Sequence, residues 1–306
     1  MPPPPSIQHL TREQIDLTGW NACIESADNS SPYALSEYLD ALCPHWEALV
    51  QGNYERVMPL PVRKKFGIRY VYHPALVPHL GVYGKALDPS VLNAFFHAIP
   101  LPIRYIDLPV NPASLPDSPA FPLTRRKNYI LPLTDDSATL QSRYRENHQR
   151  NIQRARKAGC RIDPELRVHE VWTLVKEYVS PKLSMSEREQ KSFLQLMDRW
   201  IEEGRAEIYG VRVQDRLVAG ALFLRQRPRA YYLLAGNHPD GKTLGASHFL
   251  IDAFIQANAG TDWVLDFEGS DLPSLAFFYE GFGSTSETYG WIQLNRLPRW
   301  LRCIKS

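Results

Sequence analysis

The chain has 306 residues, of which 44% are hydrophobic and 22% are charged. Soluble globular proteins have this composition, so collagen-like, coiled-coil and intrinsically disordered proteins are excluded. Lys and Arg together number 35 against 33 Asp and Glu, and the resulting net charge of +2 is too small for a dedicated DNA-binding protein.

The sequence predicts a cytoplasmic protein without a transmembrane segment or a metal site. No apolar run approaches the roughly 20 residues that a membrane-spanning helix needs. Four prolines follow Met1 where a secretory signal would have a basic start and an apolar stretch. The cysteines are scattered, with neither a CxxC pair nor metal-ligand spacing, and we interpret them as ordinary thiols: Cys23, Cys43, Cys160 and Cys303.

Proline content predicts two domains. Residues 1–135 contain 19 of the 25 prolines, and residues 136–306 contain the other 6. Because proline interrupts helices and central strands, the first part should consist of short strands and loops, whereas the second can form longer elements. The predicted domains are therefore 1–135, with a short disordered start, and 136–306.

The predicted elements follow from hydrophobic periodicity and turn residues. In the first part they are helices at 20–27, 35–43 and 90–99, a hairpin that starts at Trp46, turns at Gly52–Asn53 and ends at Pro59, and strands at 69–72 and 103–107. In the second part they are helices at 137–158, 168–178 and 186–203, strands at 206–213, 217–225 and 229–235, a loop at 237–247, a helix at 246–257, a strand at 263–267, a helix at 272–279 and a strand at 287–294. This order predicts a mixed, mostly antiparallel α/β fold.

The loop at 237–247 is a candidate anion site. It contains two glycines, which let a ligand approach the backbone closely, and a helix follows at once, whose free N–H groups attract phosphate. Lys242 adds a positive charge there. The alternative is an ordinary loop with a helix cap, in which Thr243 or Ser247 is the capping residue.

Two carboxylates follow the next strand, and a tyrosine lies near the end of the next helix. Alternation along the strand predicts that Asp266 and Glu268 share a face, where repulsion would raise the pKa of at least one carboxyl. Such a group suits a general base or a group that holds an amine substrate, and the alternative is a solvated strand end in which Glu268 pairs with a Lys or Arg. Tyr279 suits a proton donor, and the alternative is core packing with the predicted stripe Leu275, Phe278 and Phe282.

Together these segments resemble the GNAT N-acyltransferases. The resemblance implies that the diphosphate of acetyl-CoA, or of another acyl-CoA, binds at the turn formed by Lys242, Thr243, Leu244, Gly245, Ala246 and Ser247. It also implies that Tyr279 protonates the departing thiolate, with Gly283 as the family glycine four residues later.

The closer resemblance is to the FemAB-like branch, whose members have two GNAT-like folds in one chain. It rests on the segments RENHQRNIQRARKAG and LDFEGSDLPSLAFFYEGFGS. The first is a basic stretch, with seven basic residues and one acidic residue between Arg143 and Arg161. Arg150 and Arg154 lie on one helical face of it, which suits CoA phosphates, a phosphorylated carrier or tRNA, and the alternative is a solvated helix face.

The resemblance implies a tandem GNAT-like protein that transfers an acyl group, acetyl being the first expectation, from acyl-CoA to an amine of a small molecule or peptide. Direct attack in a ternary complex requires no metal. One alternative is a FemAB-type transfer from aminoacyl-tRNA to a cell-wall peptide, although little room remains before Val211 for the long helical hairpin common in those enzymes. The other is a non-catalytic binding protein.

Overall fold

The computed structural model describes residues 6–115, 122–178, 185–269 and 271–297. These residues form two compact units. The first unit extends to Arg126 and takes up the chain again from Thr288, and the second unit is Lys127–Glu287. The predicted disordered start at 1–5 and Cys303 lie outside the described residues.

The first unit begins with a short strand and two helices that pack beside a sheet. Its elements are β1 (Ile7–Thr11), α1 (Leu17–Ser26), α2 (Ser36–Leu42), β2 (Trp46–Gln51), β3 (Arg56–Lys65), β4 (Ile68–Val71), β5 (Tyr83–Gly84), α3 (Pro89–His97) and β6 (Ile103–Val110). The side chains of Asp16 and Asp88 accept N–H groups at the starts of α1 and α3, and so cap them. Trp20 of α1 and Trp46 of β2 are fully buried, with ring centroids 4.7 Å apart.

β3 is longer than predicted. The prediction ended the strand at its first proline, whereas the strand contains two. The hairpin was expected to end at Pro59, but the strand continues through Pro61 to Lys65. β2 pairs with β3 over Arg56–Pro61, whereas β4 pairs with β3 only from Val62 onward. A proline can occupy a strand position where no neighbour needs its missing N–H, and this stretch supplies such positions.

The second unit begins within a strand that crosses the boundary between the units. Its elements are β7 (Leu123–Pro132), α4 (Ser137–Ser142), α5 (Glu146–Lys157), β8 (Cys160–Asp163), α6 (Val168–Tyr178), α7 (Glu187–Glu202), β9 (Ala206–Val213), β10 (Arg216–Gln226), β11 (Arg229–Asn237), α8 (Pro239–Leu244), α9 (Ala246–Asn258), β12 (Val264–Asp266) and α10 (Pro273–Glu280). β13 (Thr285–Asn295) then leads back into the first unit.

The sheets of the two units repeat one topology. The strand order is β1-β2-β3-β4-β6-β13 in the first unit and β8-β9-β10-β11-β12-β7 in the second. In each order the fourth and fifth strands are parallel, and the other neighbours are antiparallel. The prediction of a mixed, mostly antiparallel α/β fold is therefore confirmed.

The division into units differs from the predicted domains 1–135 and 136–306. Residues 130–132 of β7 pair with β12, which assigns this stretch to the second unit. Residues 290–295 of β13 pair with β6, which assigns the end of the described chain to the first unit. Proline content could not indicate either assignment, since a strand belongs to the sheet with which it forms hydrogen bonds.

Two predicted elements of the second unit are divided differently in the structure. The helix predicted at 137–158 is broken between α4 and α5, where Tyr144 packs edge-on against Phe282 with ring centroids 5.3 Å apart. The loop predicted at 237–247 contains α8, which has Pro239 at its first position. The His238 side chain caps α8 by accepting the N–H of Asp240 at 3.1 Å.

Helices cover both faces of the second sheet. A Cβ on Gly220 of β10 would contact Val171 of α6, whereas the flanking Ala219 and Ala221 belong to the core around α9. Because side chains alternate along a strand, α6 and α9 lie on opposite faces. In the core on the α9 side, Phe254 stacks on Phe223 with a centroid distance of 3.9 Å.

Truncation of Phe254 should strongly destabilise the second unit, because this ring is fully buried. We expect Phe254→Ala to lower the free energy of unfolding by about 3–5 kcal/mol, measured by urea denaturation. Phe66→Ala is the matched control, since Phe66 is 91% exposed and its loss should change the value by less than about 0.5 kcal/mol. Equal effects of the two variants would contradict this assignment of the core.

Candidate active site

The two parallel strands of the second unit separate after three residue pairs. β11 pairs with β12 only through Arg229–Tyr231 and Val264–Asp266. Beyond this stretch β11 continues along β10, where the register shifts so that Leu233 has no opposite residue. This arrangement is a β-bulge, which leaves the extra residue unpaired and redirects the local backbone. The candidate site lies where the strands separate.

A partly buried ion pair holds the strands at this point. Arg229 Nη1 donates to Asp266 Oδ2 at 2.6 Å, and the same guanidinium donates to both carboxylate oxygens of Glu287 at 2.8 and 2.7 Å. The Asn128 side-chain amide donates to Asp266 Oδ1 at 2.9 Å. Asp266 is fully buried, so these donors compensate its charge. The sequence left open, as the alternative to a general base, a strand-end carboxylate paired with a Lys or Arg. The structure shows such an ion pair, but Arg229 pairs with Asp266 and not with Glu268.

Glu268 lies beyond the end of β12. The strand was expected to include residue 267 and to place both acids on one face, but it ends at Asp266. The backbone at Glu268 has a φ of 61°, and its N–H donates to Asp266 Oδ1 at 2.9 Å. Among the described residues, the Oε1 atom of Glu268 is buried without a hydrogen-bond partner. Burial raises the pKa of Glu268 well above its usual value, whereas the sequence suggested repulsion between the two acids as the cause.

Tyr279 lies beside Glu268. Its ring stacks on Phe267 with a centroid distance of 4.6 Å, and only 7% of the residue is exposed. Burial raises the pKa of the Tyr279 phenol, and the charge of Glu268 raises it further. The structure thus brings together these two residues that the sequence singled out, with Asp266 in contact with Glu268 through the backbone. Leu275, expected in the core stripe, is instead 40% exposed.

Two further tyrosines near the site were missed by sequence reasoning. Tyr129 of β7 lies 6.0 Å from Tyr279 between ring centroids, and its pKa is raised by burial and by the charges of Glu280 and Asp271. Tyr232 of β11 packs edge-on against Phe267, and burial raises its pKa. No local pattern distinguishes these residues, because each occupies an ordinary strand position.

The predicted cofactor residues form the junction between two helices. Lys242, Thr243 and Leu244 end α8, Gly245 has a left-handed φ of 81°, and α9 begins at Ala246. The Ala246 side chain is fully buried. The Ser247 Oγ atom donates a hydrogen bond to Asn237 Oδ1 at 2.7 Å. No side chain caps the start of α9.

The two glycines, Gly241 and Gly245, allow neighbouring backbone segments of the protein to pack closely against this junction. A Cβ on Gly241 would overlap the Val218 carbonyl, and a Cβ on Gly245 would lie 2.5 Å from the Asn151 carbonyl oxygen. The sequence suggested that these glycines make room for a ligand. Because backbone atoms of β10 and α5 already fill that space, both glycines are required by packing.

α5 brings one of the two predicted arginines to this junction. Arg154 Nη1 donates to the Thr243 carbonyl at 3.1 Å. Arg150 instead lies on the exposed face of α5, 3.7 Å from Glu146. Lys242 is exposed and forms no ion pair within the described residues. Two cations, Lys242 and Arg154, therefore flank the junction, and Arg150 does not contact it.

Two other features of the described residues bear on the site. Within 6–115, 122–178, 185–269 and 271–297, no group of three or more His, Cys, Asp or Glu side chains is arranged to hold a metal ion. In the same ranges, no helix is both long and apolar enough to cross a membrane.

Loss of the Arg229 guanidinium should destabilise the site, because it leaves Asp266 buried without its counter-charge. We expect Arg229→Met to lower the free energy of unfolding by about 3 kcal/mol in chemical denaturation. Arg227→Met is the control, since the Arg227–Asp262 pair is exposed and worth less than about 1 kcal/mol. If both variants lost the same free energy of unfolding, the Arg229–Asp266 pair would contribute no more to stability than an exposed pair.

Comparisons with known proteins agree with the topology. Residues 142–271 match the acetyltransferase (GNAT) domain family, which identifies an acyltransferase domain. No curated protein matches the sequence. Over 98% of this chain and 100% of the other, the structure is similar to that of FemX, with a TM-score of 0.61 and 13% identity.

Two other solved structures are similar over most of the chain. One is the C-terminal domain of a putative lysylphosphatidylglycerol synthetase from Agrobacterium fabrum, with a TM-score of 0.53, 11% identity and 92% coverage of both chains. The other is a tandem GNAT protein from the clavulanic acid biosynthesis pathway, with a TM-score of 0.50, 11% identity and coverage of 96% of this chain and 99% of that one. The chain therefore has the fold of the FemAB-like proteins, two GNAT-like folds in succession, and its residues 142–271 match the GNAT acetyltransferase domain family.

Proposed function

We propose that the second unit transfers an acyl group from acyl-CoA to an amine. The observation that carries this proposal is the proximity of Glu268 to Tyr279 where β11 and β12 separate, close enough for the charge of Glu268 to act on the phenol. The Glu268 carboxylate, with one buried oxygen and a raised pKa, and the buried Tyr279 phenol are proposed as the general base and the general acid of one site. Amide formation from a thioester needs both, since the amine loses a proton and the thiolate gains one.

The donor is proposed to bind with its diphosphate at the Lys242–Ser247 junction. The start of α9 has no side-chain cap, so its first N–H groups are available to an anion. Lys242 and Arg154 supply positive charge on either side. The thioester would then extend along β11 toward the bulge at Leu233, whose backbone N–H is proposed to donate to the carbonyl oxygen.

The chemical steps are assigned as follows. The amine nitrogen attacks the thioester carbon, and the C–S bond breaks as the amide bond forms. Glu268 accepts the proton that the amine loses, and Tyr279 donates its proton to the leaving sulfur. Asp266 is already saturated by Arg229 and Asn128, so its proposed role is to fix the backbone of Glu268. Orientation in the ternary complex supplies much of the acceleration.

An aminoacyl-tRNA donor is less favoured. The chain between α5 and β9 is occupied by β8 and by two helices, of which α6 packs on β10 and β11 and α7 packs on β9. Helices packed on a sheet are part of the domain core, so the described residues of this stretch hold no projecting helical hairpin. The acceptor is proposed to be a small-molecule or peptide amine.

Tyr279→Phe tests the general acid. We expect the turnover number, followed as CoA thiol release from acetyl-CoA with a panel of polyamines, amino acids and amino sugars, to fall about 100-fold. The KM for acetyl-CoA should stay within about twofold, because the phenol acts on the leaving sulfur and not on the diphosphate. Tyr209→Phe removes a partly buried phenol that packs against Phe254 of α9 and serves as the control. Equal turnover in the wild type and Tyr279→Phe would remove this tyrosine from the mechanism.

Calorimetry tests the donor site without requiring the acceptor. We expect acetyl-CoA to bind the wild-type protein, and Lys242→Ala and Arg154→Ala each to weaken binding about tenfold, equivalent to about 1.4 kcal/mol. Arg161→Ala is the charge-matched control, since Arg161 pairs with Asp215 on the β9–β10 turn.

Two results would contradict the proposal. If the protein bound neither CoA nor acetyl-CoA, a non-catalytic protein would be favoured. Binding of tRNA that persists at physiological salt, together with no uptake of acetyl-CoA, would favour the aminoacyl donor.

A further inference from the structure

The last turn of α10 leaves one carbonyl without a helical donor. The Phe282 N–H donates to the Tyr279 carbonyl at 3.1 Å, whereas regular α-helical geometry would direct it to the carbonyl of Phe278. The Gly281 N–H donates to the Phe277 carbonyl at 3.1 Å. The Phe278 carbonyl, which directly precedes Tyr279, instead meets His148 of α5, with Nε2 2.8 Å away.

The direction of this hydrogen bond follows from its partners. A carbonyl oxygen only accepts, so Nε2 of His148 carries the hydrogen. The ring is buried, and its Nδ1 atom lies 2.7 Å from Asn147 Oδ1. Burial lowers the pKa of His148. His148 therefore caps the end of α10 by donating from Nε2.

The neighbouring groups leave the imidazole little freedom. It packs edge-on against Phe282 and His248, with centroid distances of 4.6 Å to each. A Cβ on Gly281 would overlap the ring. Arg145, at the start of α5, donates its N–H to the Gly281 carbonyl at 2.9 Å and its Nη1 to the Phe277 carbonyl at 3.2 Å. The first turn of α5 thus satisfies three carbonyls around Tyr279.

We propose that His148 is a positioning residue for the reaction: its hydrogen bond to the Phe278 carbonyl fixes the helix turn that aims the Tyr279 phenol at the leaving group. This inference rests on the proposed function. His148 does not reach the reacting atoms, so it acts through the backbone of α10. Displacement of a reacting group such as the Tyr279 phenol by about 1 Å can lower the rate by about two orders of magnitude. The His148 hydrogen bond acts on the carbonyl directly before Tyr279.

The test compares two amide substitutions at this position. His148→Gln keeps a donor near the place of Nε2, whereas His148→Asn is too short to reach the Phe278 carbonyl. With acetyl-CoA and the amine that gives turnover, we expect His148→Asn to lower kcat about 10- to 100-fold with the KM for acetyl-CoA unchanged. His148→Gln should recover most of the wild-type kcat.

A second variant and a second readout cover the case in which His148→Asn folds poorly. Gly281→Ala, at a backbone φ of −65° that alanine adopts freely, should displace the imidazole and lower kcat to a similar extent. Hydrogen exchange of the Tyr279–Gly283 amides should be faster in His148→Asn and Gly281→Ala than in His148→Gln and the wild type.

Specific outcomes overturn the inference. Equal kcat in His148→Asn and His148→Gln, or unchanged exchange at the end of α10 in His148→Asn, would exclude a positioning role. A wild-type protein that binds no acyl-CoA would contradict the proposed function alone. In that case the exchange comparison still decides whether His148 fixes the turn that bears Tyr279.

Discussion

The contact between Arg229 and the buried Asp266 side chain is the interaction on which the candidate site depends. It joins the first residue of β11 to the last residue of β12, so the two parallel strands are tied together just before they separate. The same carboxylate accepts the N–H of Glu268 and holds the chain in a left-handed conformation there. Such a conformation is uncommon for a residue with a side chain, and it needs support of this kind. It directs one oxygen of Glu268 into the interior.

α5 connects the two parts of the proposed reaction centre. Its first turn contacts the end of α10, through Arg145 and His148. Its middle contacts the α8–α9 junction, through the Asn151 backbone and the Arg154 side chain. The basic residues of this helix therefore have different roles. Arg145 satisfies carbonyls, Arg154 flanks the proposed diphosphate site and Arg150 lies exposed on the surface.

Much of the second unit follows from short-range sequence patterns. The strands 206–213, 217–225 and 229–235 were predicted nearly at their observed bounds, because alternating side chains and short turns define antiparallel hairpins locally. β8 was not predicted, since it is recognised by its pairing with β9, about 50 residues further along the chain. The domain bounds failed to follow from proline content for the same reason.

The candidate site was only partly predictable. Asp266 and Glu268 could be singled out because polar residues at the end of an apolar strand are conspicuous, and Tyr279 because of its place near the end of the next helix and the resemblance to GNAT N-acyltransferases. The sequence did not show that burial raises the pKa of Glu268. It suggested repulsion by Asp266 instead, because the contact by which Arg229 compensates the Asp266 charge spans 37 residues. The capping role of His148 was likewise invisible, since its partner lies 130 residues away.

The central claim is that acyl-CoA enters the gap between β11 and β12 with its sulfur at Tyr279. The most direct measurement is a crystal structure of the protein with a non-hydrolysable acyl-CoA analogue. The account predicts a diphosphate on the first N–H groups of α9, the acyl carbonyl near Leu233 and the sulfur position within hydrogen-bonding reach of the phenol. An analogue bound elsewhere, or a phenol directed away from its sulfur position, would contradict the account.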